Sequence, residues 1–163
     1  MAEGFIRVYC GRGKGKTTAA IGLGLSEAAK GNSVVIIQFL KDRKEDEIEF
    51  LSRLEPEVKF FRFERSAESF ESLSESDKKE EVINIKNGMN FARKVLSTEG
   101  CSLLVLDELL GLVDQHVISP QDVIEILDAK DEDTSVVMTG ITMCPELEAY
   151  VDEIYNIDIV KNR

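Results

Sequence analysis

The chain has 163 residues, 43% of them hydrophobic and 31% charged, which suits one globular domain with its own core. No apolar run approaches the roughly 20 residues that cross a bilayer, so no membrane partner is expected. A formal net charge of −11 argues against nucleic acid, a polyanion that proteins bind largely through Lys and Arg. Cys10, Cys101 and Cys144 are odd in number and far apart, which fits reduced thiols better than a disulfide framework or a metal site. The opening MAEGFIRVYC has no signal-peptide anatomy, and the expected compartment is the cytoplasm.

In chain order, the first strand is expected over FIRVYC (5–10), followed by a glycine-rich turn and an alanine-rich helix over 16–30 that ends at Gly31. SVVIIQFL (33–40) reads as the second strand and VKFFRF (58–63) as the third, with the acidic run EDEIE (45–49) between them as a solvated helix face. ERSAESFESLSESDKKEE (64–81) is dense in Ser and Glu, with Phe70 and Leu73 its only large apolar residues. It reads either as a mobile solvated loop or as a flap over a ligand site. From 77 to 99, Val82, Ile85, Met89, Ala92 and Leu96 fall on one helical stripe, with Asp77 and Glu80 in its first turn.

CSLLVLD (101–107) and TSVVMTG (134–140) are the fourth and fifth strands, and EIYNIDIV (153–160) is a weaker sixth. Ser119-Pro120 opens a helix as N-cap and first position, continuing through Val123, Ile126 and Leu127. Pro145 opens a short one through Leu147 and Val151. Near-continuous apolar strands alternating with helices imply one α/β domain over 1–163, three layers doubly wound around a mostly parallel sheet.

The chemistry concentrates in RVYCGRGKGKTTAAIGLG (7–24). A phosphate-binding loop asks for a glycine, four free positions and then Gly-Lys-Thr/Ser. Counting back from Gly15-Lys16-Thr17 puts that glycine at Cys10; Gly11 stands one place later, so the loop is one residue short. A strand, then Gly11, Arg12, Gly13, Lys14, Gly15, Lys16, Thr17 and Thr18, then a helix still assembles an anion site. Glycines admit close backbone approach, and the helix N-terminus and amides supply positive potential. Lys16 brings an ammonium to the phosphates, Lys14 a second cation, and the Thr17 hydroxyl is placed for Mg2+. LLVLDE (103–108) is the second half: a buried strand ending in Asp107-Glu108 is the arrangement that fixes magnesium in such folds. Asp107 orients water or Thr17 around the ion, whereas Glu108 either binds metal or polarises a ligand.

GRGKGKTTAA, VVIIQFLK (34–41), LLVLDELLGLV (103–113) and SVVMTG (135–140) together resemble the ATP:corrinoid adenosyltransferases of the cob(I)alamin type. The shortened loop is the most specific element, and the likeness runs through nearly the whole chain in the same order. The resemblance implies a RecA-like P-loop NTPase fold with ATP held reversed along the loop. Cobalt(I) of a reduced corrinoid then attacks the ribose 5′ carbon and triphosphate leaves. Gly11 to Thr18 would grip the leaving group, with Lys16 and Glu108 as candidate catalytic residues and Thr17, Asp107 and Glu108 around Mg2+. ATP and the corrinoid are substrates, a reductase supplies cobalt(I), and a homodimer is the implied assembly.

Three departures stand out against the family pattern. MTGI puts Ile141 where members have an arginine, and Arg12 is a candidate to replace part of that guanidinium. The chain stops at VKNR where members continue with a basic tail. Their N-terminal helix and aromatic-rich segment correspond here to an immediate strand and to 64–81. Two other readings therefore stay open: a non-catalytic ATP-binding module, and a P-loop ATPase or phosphotransferase. Two residues are expected to be ordinary, His116 as a surface or cap residue and Cys10 as a small residue packed at a strand end.

Overall fold

A computed structural model describes residues 3–39 and 45–163. Leu40 and Lys41 of the Gln-Phe-Leu-Lys block lie outside the described residues, as do the side chains of 45–48 in the acidic run. Six strands, β1 (Ile6–Cys10), β2 (Val34–Gln38), β3 (Val58–Arg62), β4 (Leu103–Asp107), β5 (Ser135–Thr139) and β6 (Glu153–Asn156), form one sheet in the order β3-β2-β4-β5-β1-β6. Every pairing is parallel.

Burial follows position in the sheet. All five residues of β2, β4 and β5 are buried, as expected of strands covered on both faces. β3 and β6 are the edges, and β6 keeps no fully buried residue, which is why its sequence pattern is the weakest. The sixth strand is correspondingly shorter than expected, ending at Asn156 rather than at 160.

Alternate strand residues feed two separate cores. Val34, Ile36, Leu103, Val105 and Val137 point to the face covered by α1 (Lys16–Ala29) and α2 (Glu45–Ser52), meeting Ala20 and Leu51. Val35, Ile37, Leu104, Leu106, Val136 and Met138 point to the other face. There they meet α3 (Glu75–Ser97), α4 (Leu109–Asp114) and α5 (Pro120–Asp128) through Ile85, Met89, Leu110, Leu112, Val123 and Ile126. The three-layer, doubly wound arrangement expected from the alternation is present.

Helix boundaries follow local chemistry. α5 begins with Ser119 and Asp122 in a reciprocal capping box and Pro120 in the first turn. α3 begins two residues before the expected start because Ser74 caps it, accepting from the Asp77 amide at 3.1 Å. α4 is an element the sequence reading did not separate, since LLGLV continues an apolar run and carries no cap signature. Glu108, at φ 66°, breaks the strand and turns the chain into this helix. Segment 64–81 is neither a bare loop nor a free flap: it holds a 3-10 turn at Phe70–Ser72, buries Leu73, and then enters α3. The Ser66 amide donates to Glu81 at 3.0 Å and the Asn84 side chain donates to the Glu64 carbonyl, which tie the segment to α3.

Because all strands run the same way, Cys10, Gln38, Arg62, Asp107, Thr139 and Asn156 end on one edge, where ligands of open α/β sheets bind. Leu104 is fully buried in the central strand β4, in register between Val35 and Val136. Leu104→Ala is expected to lower unfolding free energy by about 2–5 kcal/mol, and Ser119→Ala by about 1 kcal/mol, both read from urea denaturation midpoints.

Candidate active site at the carboxyl edge of the sheet

The glycine loop joins β1 to α1. Gly11 and Gly15 adopt φ of 108° and 109°, a region that disfavours any side chain. The reasons for the glycines differ along the loop. A Cβ on Gly11 would lie 2.3 Å from the Ile157 carbonyl oxygen and one on Gly13 2.8 Å from the same atom, whereas Gly15 has open space around it. Gly11 and Gly13 are thus needed where the chain after β6 passes behind the loop; Gly15 is needed for its turn alone.

Their amides are committed too. Gly11 N–H donates to the Ile141 carbonyl and Gly13 N–H to the Ile157 carbonyl, both at 2.8 Å. These two residues brace the loop, and the remaining amides of the loop and the first turn of α1 are those left to face an anion. That turn carries no acidic residue and Gly15 offers no side-chain cap, so its positive end is not offset locally. Lys16 Nζ lies against the Gly13 carbonyl at 2.9 Å. Arg12, Lys14 and Thr18 are exposed around the rim.

The loop is joined to β4 through one carboxylate. Thr17 Oγ1 donates to Asp107, 2.9 Å from Oδ1 and 3.2 Å from Oδ2. Thr139 Oγ1, at the end of β5, donates to Oδ1 at 2.8 Å while accepting from the Glu108 amide, also at 2.8 Å. Asp107 is only 2% exposed. Burial raises its pKa above the usual carboxylate range, against the hydroxyls of Thr139 and Thr17, which favour the charged form; the neighbouring Glu108 raises it further. Gln38, paired in register with Asp107 from β2, faces the same carboxylate.

Thr17 and Asp107 present hard oxygens to one point, the donor type that Mg2+ takes when it keeps waters and phosphate oxygens as its other ligands. Among the described residues no group of three or more His, Cys, Asp or Glu is set to hold a metal by itself. The donor set therefore fits a magnesium that arrives with nucleotide phosphates. Glu108, at φ 66°, has its Oε2 3.2 Å from where a Cβ on Gly111 would stand, a position that Arg65 Nη2 approaches to 3.9 Å.

A cavity of about 820 Å³ opens between α3, α4, α5 and the segment after β5. Leu110, Val113, Val117, Ile118, Met143 and Pro145 supply its apolar wall. His116 stands on its rim, exposed and at φ 58°, closing α4 as a cap through its amide to the Val113 carbonyl. Cys10 is buried at the end of β1, and burial pushes its thiol pKa up. Both residues match the ordinary roles expected of them. All three cysteines are free.

The structure joins Thr17 to Asp107, seats the Lys16 ammonium on the Gly13 carbonyl, and has Glu108 next in the chain after Asp107. Ile141, 55% exposed, lends only its carbonyl to the loop. Thr139, Gln38 and Arg65 are site neighbours that sequence reasoning did not single out. Thr139 and Gln38 had a signal: each is the polar end of an otherwise apolar strand. Arg65 had none, lying in the Ser/Glu-rich stretch.

The chain matches the family described as ATP:corrinoid adenosyltransferase BtuR/CobO/CobP over residues 2–163. A corrinoid adenosyltransferase of Escherichia coli K12 is 24% identical over 160 residues, covering 98% of this chain and 79% of its own. Corrinoid adenosyltransferase CobA of Salmonella typhimurium is 30% identical over 138 residues, covering 85% and 68%. An uncharacterised Nostoc protein is 27% identical over 157 residues; the match takes in 90% of this chain but 40% of that longer protein. Among solved structures, a KaiC-like protein of Pyrococcus horikoshii superposes with a TM-score of 0.64 at 15% identity, over 100% of this chain and 76% of its own. That likeness supports the RecA-like P-loop fold.

The buried charge at Asp107 yields a prediction of opposite signs. Its folded pKa is raised, so the carboxyl favours the folded state below its unfolded pKa, and that contribution is lost as pH rises through the folded value. Asp107→Asn is expected to gain stability relative to the parent as pH rises from the acidic range to neutrality, while losing magnesium-dependent nucleotide binding. Thermal melts across pH and calorimetric titration with Mg-ATP check the two halves.

Proposed function

The chain belongs to the family of ATP:corrinoid adenosyltransferases BtuR/CobO/CobP, and from that membership we propose that it transfers the 5′-deoxyadenosyl group of ATP to a reduced cobalt(I) corrinoid, releasing inorganic triphosphate. The observation that carries this reading is the junction of a shortened glycine loop with Asp107 through Thr17. A cavity of about 820 Å³ lined in part by Leu110 and Met143 supports the same reading, with room for part of a second, bulky substrate.

In the proposed reaction the cobalt(I) electron pair forms a bond to the ribose C5′. The C5′–O bond breaks, and its electrons leave with the triphosphate. The nucleophile comes from the substrate, so no side chain has to remove a proton. What the protein supplies is a fixed environment for the charge gained by the leaving group. The amides of the first turn of α1 and the Lys16 ammonium meet the phosphates. Thr17 and Asp107 would hold magnesium, and Glu108 would offer a second carboxylate to the same ion. When bound, magnesium supplies neutralisation of charge on the phosphate oxygens. The α4–α5 cavity takes the corrin, with its apolar wall excluding water from the reacting carbon.

The reading brings with it a reductase that supplies cobalt(I), a homodimeric assembly and a cytoplasmic setting. Among the described residues no helix is long and apolar enough to cross a membrane.

One observation favours a second reading, a nucleotide-binding module without turnover: the exposed Ile141 side chain offers no charge beside the loop. Supplying ATP, Mg2+ and a chemically reduced corrinoid separates the possibilities. Adenosylcorrinoid with stoichiometric triphosphate is the expected result. ADP and phosphate without alkylated cobalt would assign ATPase chemistry, and ATP binding with no product would leave the module. Lys16→Ala is expected to reduce transfer about 100-fold or more, the scale for losing one charge-stabilising donor, with weaker ATP binding by calorimetry.

A further inference from the structure

Arg65 belongs to the Ser/Glu-rich segment after β3, yet only 7% of its surface is exposed. Arginine is almost never buried this far unless it is paired. Its Nη1 donates to Gln115 Oε1 at 3.1 Å, at the carboxyl end of α4. Its Nη2 lies beside Gly111, in the middle of that helix: a Cβ on Gly111 would be 3.9 Å from Nη2 and 3.2 Å from Glu108 Oε2. The absence of a side chain at 111 therefore leaves the gap across which guanidinium and carboxylate face each other. Nε finds no acceptor among the described residues. Burial lowers the pKa of the guanidinium from its ordinary value, while the negative charges of Glu108 and, after it, Glu81 act in the other direction.

We propose that Arg65 is a positioning residue for Glu108: across the gap at Gly111 it fixes the carboxylate beside Asp107, and it makes segment 64–81 part of the site's support. A guanidinium held at one end by Gln115 is a fixed cation, and a fixed cation selects one orientation of the acid that faces it. The segment before α3 is thereby coupled to the metal-binding edge, although none of its residues reaches the loop. This rests on the reading of Glu108 as a second carboxylate for magnesium.

The test uses the full chain, Mn2+ in place of Mg2+, and ATP, with bound Mn2+ read by electron paramagnetic resonance, so that it needs no turnover. Arg65→Gln and Glu108→Gln are each expected to weaken Mn2+ binding in the presence of ATP by about tenfold, the scale for losing support of a metal ligand. The double variant is expected to bind no more weakly than Glu108→Gln alone. Gly111→Ala, which wedges a methyl between the pair while favouring the helix, is expected to reproduce the loss. Gln115→Leu, which frees the anchored end of the guanidinium, is expected to weaken Mn2+ binding in the presence of ATP as well, by no more than Arg65→Gln does.

Losses that multiply in the double variant would overturn the proposal. So would unchanged Mn2+ binding in Gln115→Leu, an unaffected Gly111→Ala, or no effect of Glu108→Gln on Mn2+. If Arg65→Gln does not fold, the Gly111 and Gln115 variants decide. A chain that shows the coupled Mn2+ losses but makes no adenosylcorrinoid keeps the Arg65 role and sinks adenosyl transfer. One that transfers adenosyl but shows multiplied losses sinks the Arg65 role alone.

Discussion

A single buried carboxylate holds the working edge of this protein together. Asp107 accepts hydrogen bonds from Thr17 at the start of α1 and from Thr139 at the end of β5, and so ties the glycine loop to two strands that are not its neighbours in sequence. The Glu108 amide closes the ring through Thr139. An unpaired charge at this depth would be strongly unfavourable; two hydroxyls and a facing amide side chain make it tolerable without neutralising it. The carboxylate lies on the floor of a site whose other wall is a helix N-terminus suited to anions. Stability is conceded locally, in the way functional sites commonly concede it.

The loop is braced from behind rather than from the front. Two of its amides are engaged by the carbonyls of Ile141 and Ile157, and two of its glycines exist because Ile157 leaves no room for a side chain. A loop one residue shorter than the common pattern has fewer amides to offer, and these contacts reduce the number again. On the proposed reading, the anion-binding burden then falls on Lys16 and the first turn of α1. The residues after β6, which look like an afterthought in the sequence, are part of the site's foundation.

Much of the fold was legible because it rests on burial, and burial leaves a mark in composition. VVIIQ, LLVLD and SVVMT are central strands and read as such, and the Ser119-Pro120 cap was visible because capping depends on local residue type. The acid at 107 and the lysine and threonine at 16 and 17 could be paired before any coordinates, since each sits at the end of an apolar strand or a glycine turn. α4 could not be separated, because its residues are apolar on every side and its start depends on one left-handed residue, Glu108. Arg65 was invisible for a different reason: a buried arginine among serines and glutamates differs from an exposed one only through partners far away in sequence, here Glu108, Gly111 and Gln115.

The central claim is that the cradle holds three phosphates as a departing group, with the sugar carbon directed away from the loop and towards the α4–α5 cavity. The most direct measurement is a crystal structure with Mg2+ and a non-reactive ATP analogue bound, read for the direction of the triphosphate. The account predicts phosphates running along Lys16 and Thr17 with the ribose C5′ open to the cavity bounded by Leu110 and Met143. A γ-phosphate placed for in-line attack by water, with the ribose C5′ turned away from that cavity, would contradict it.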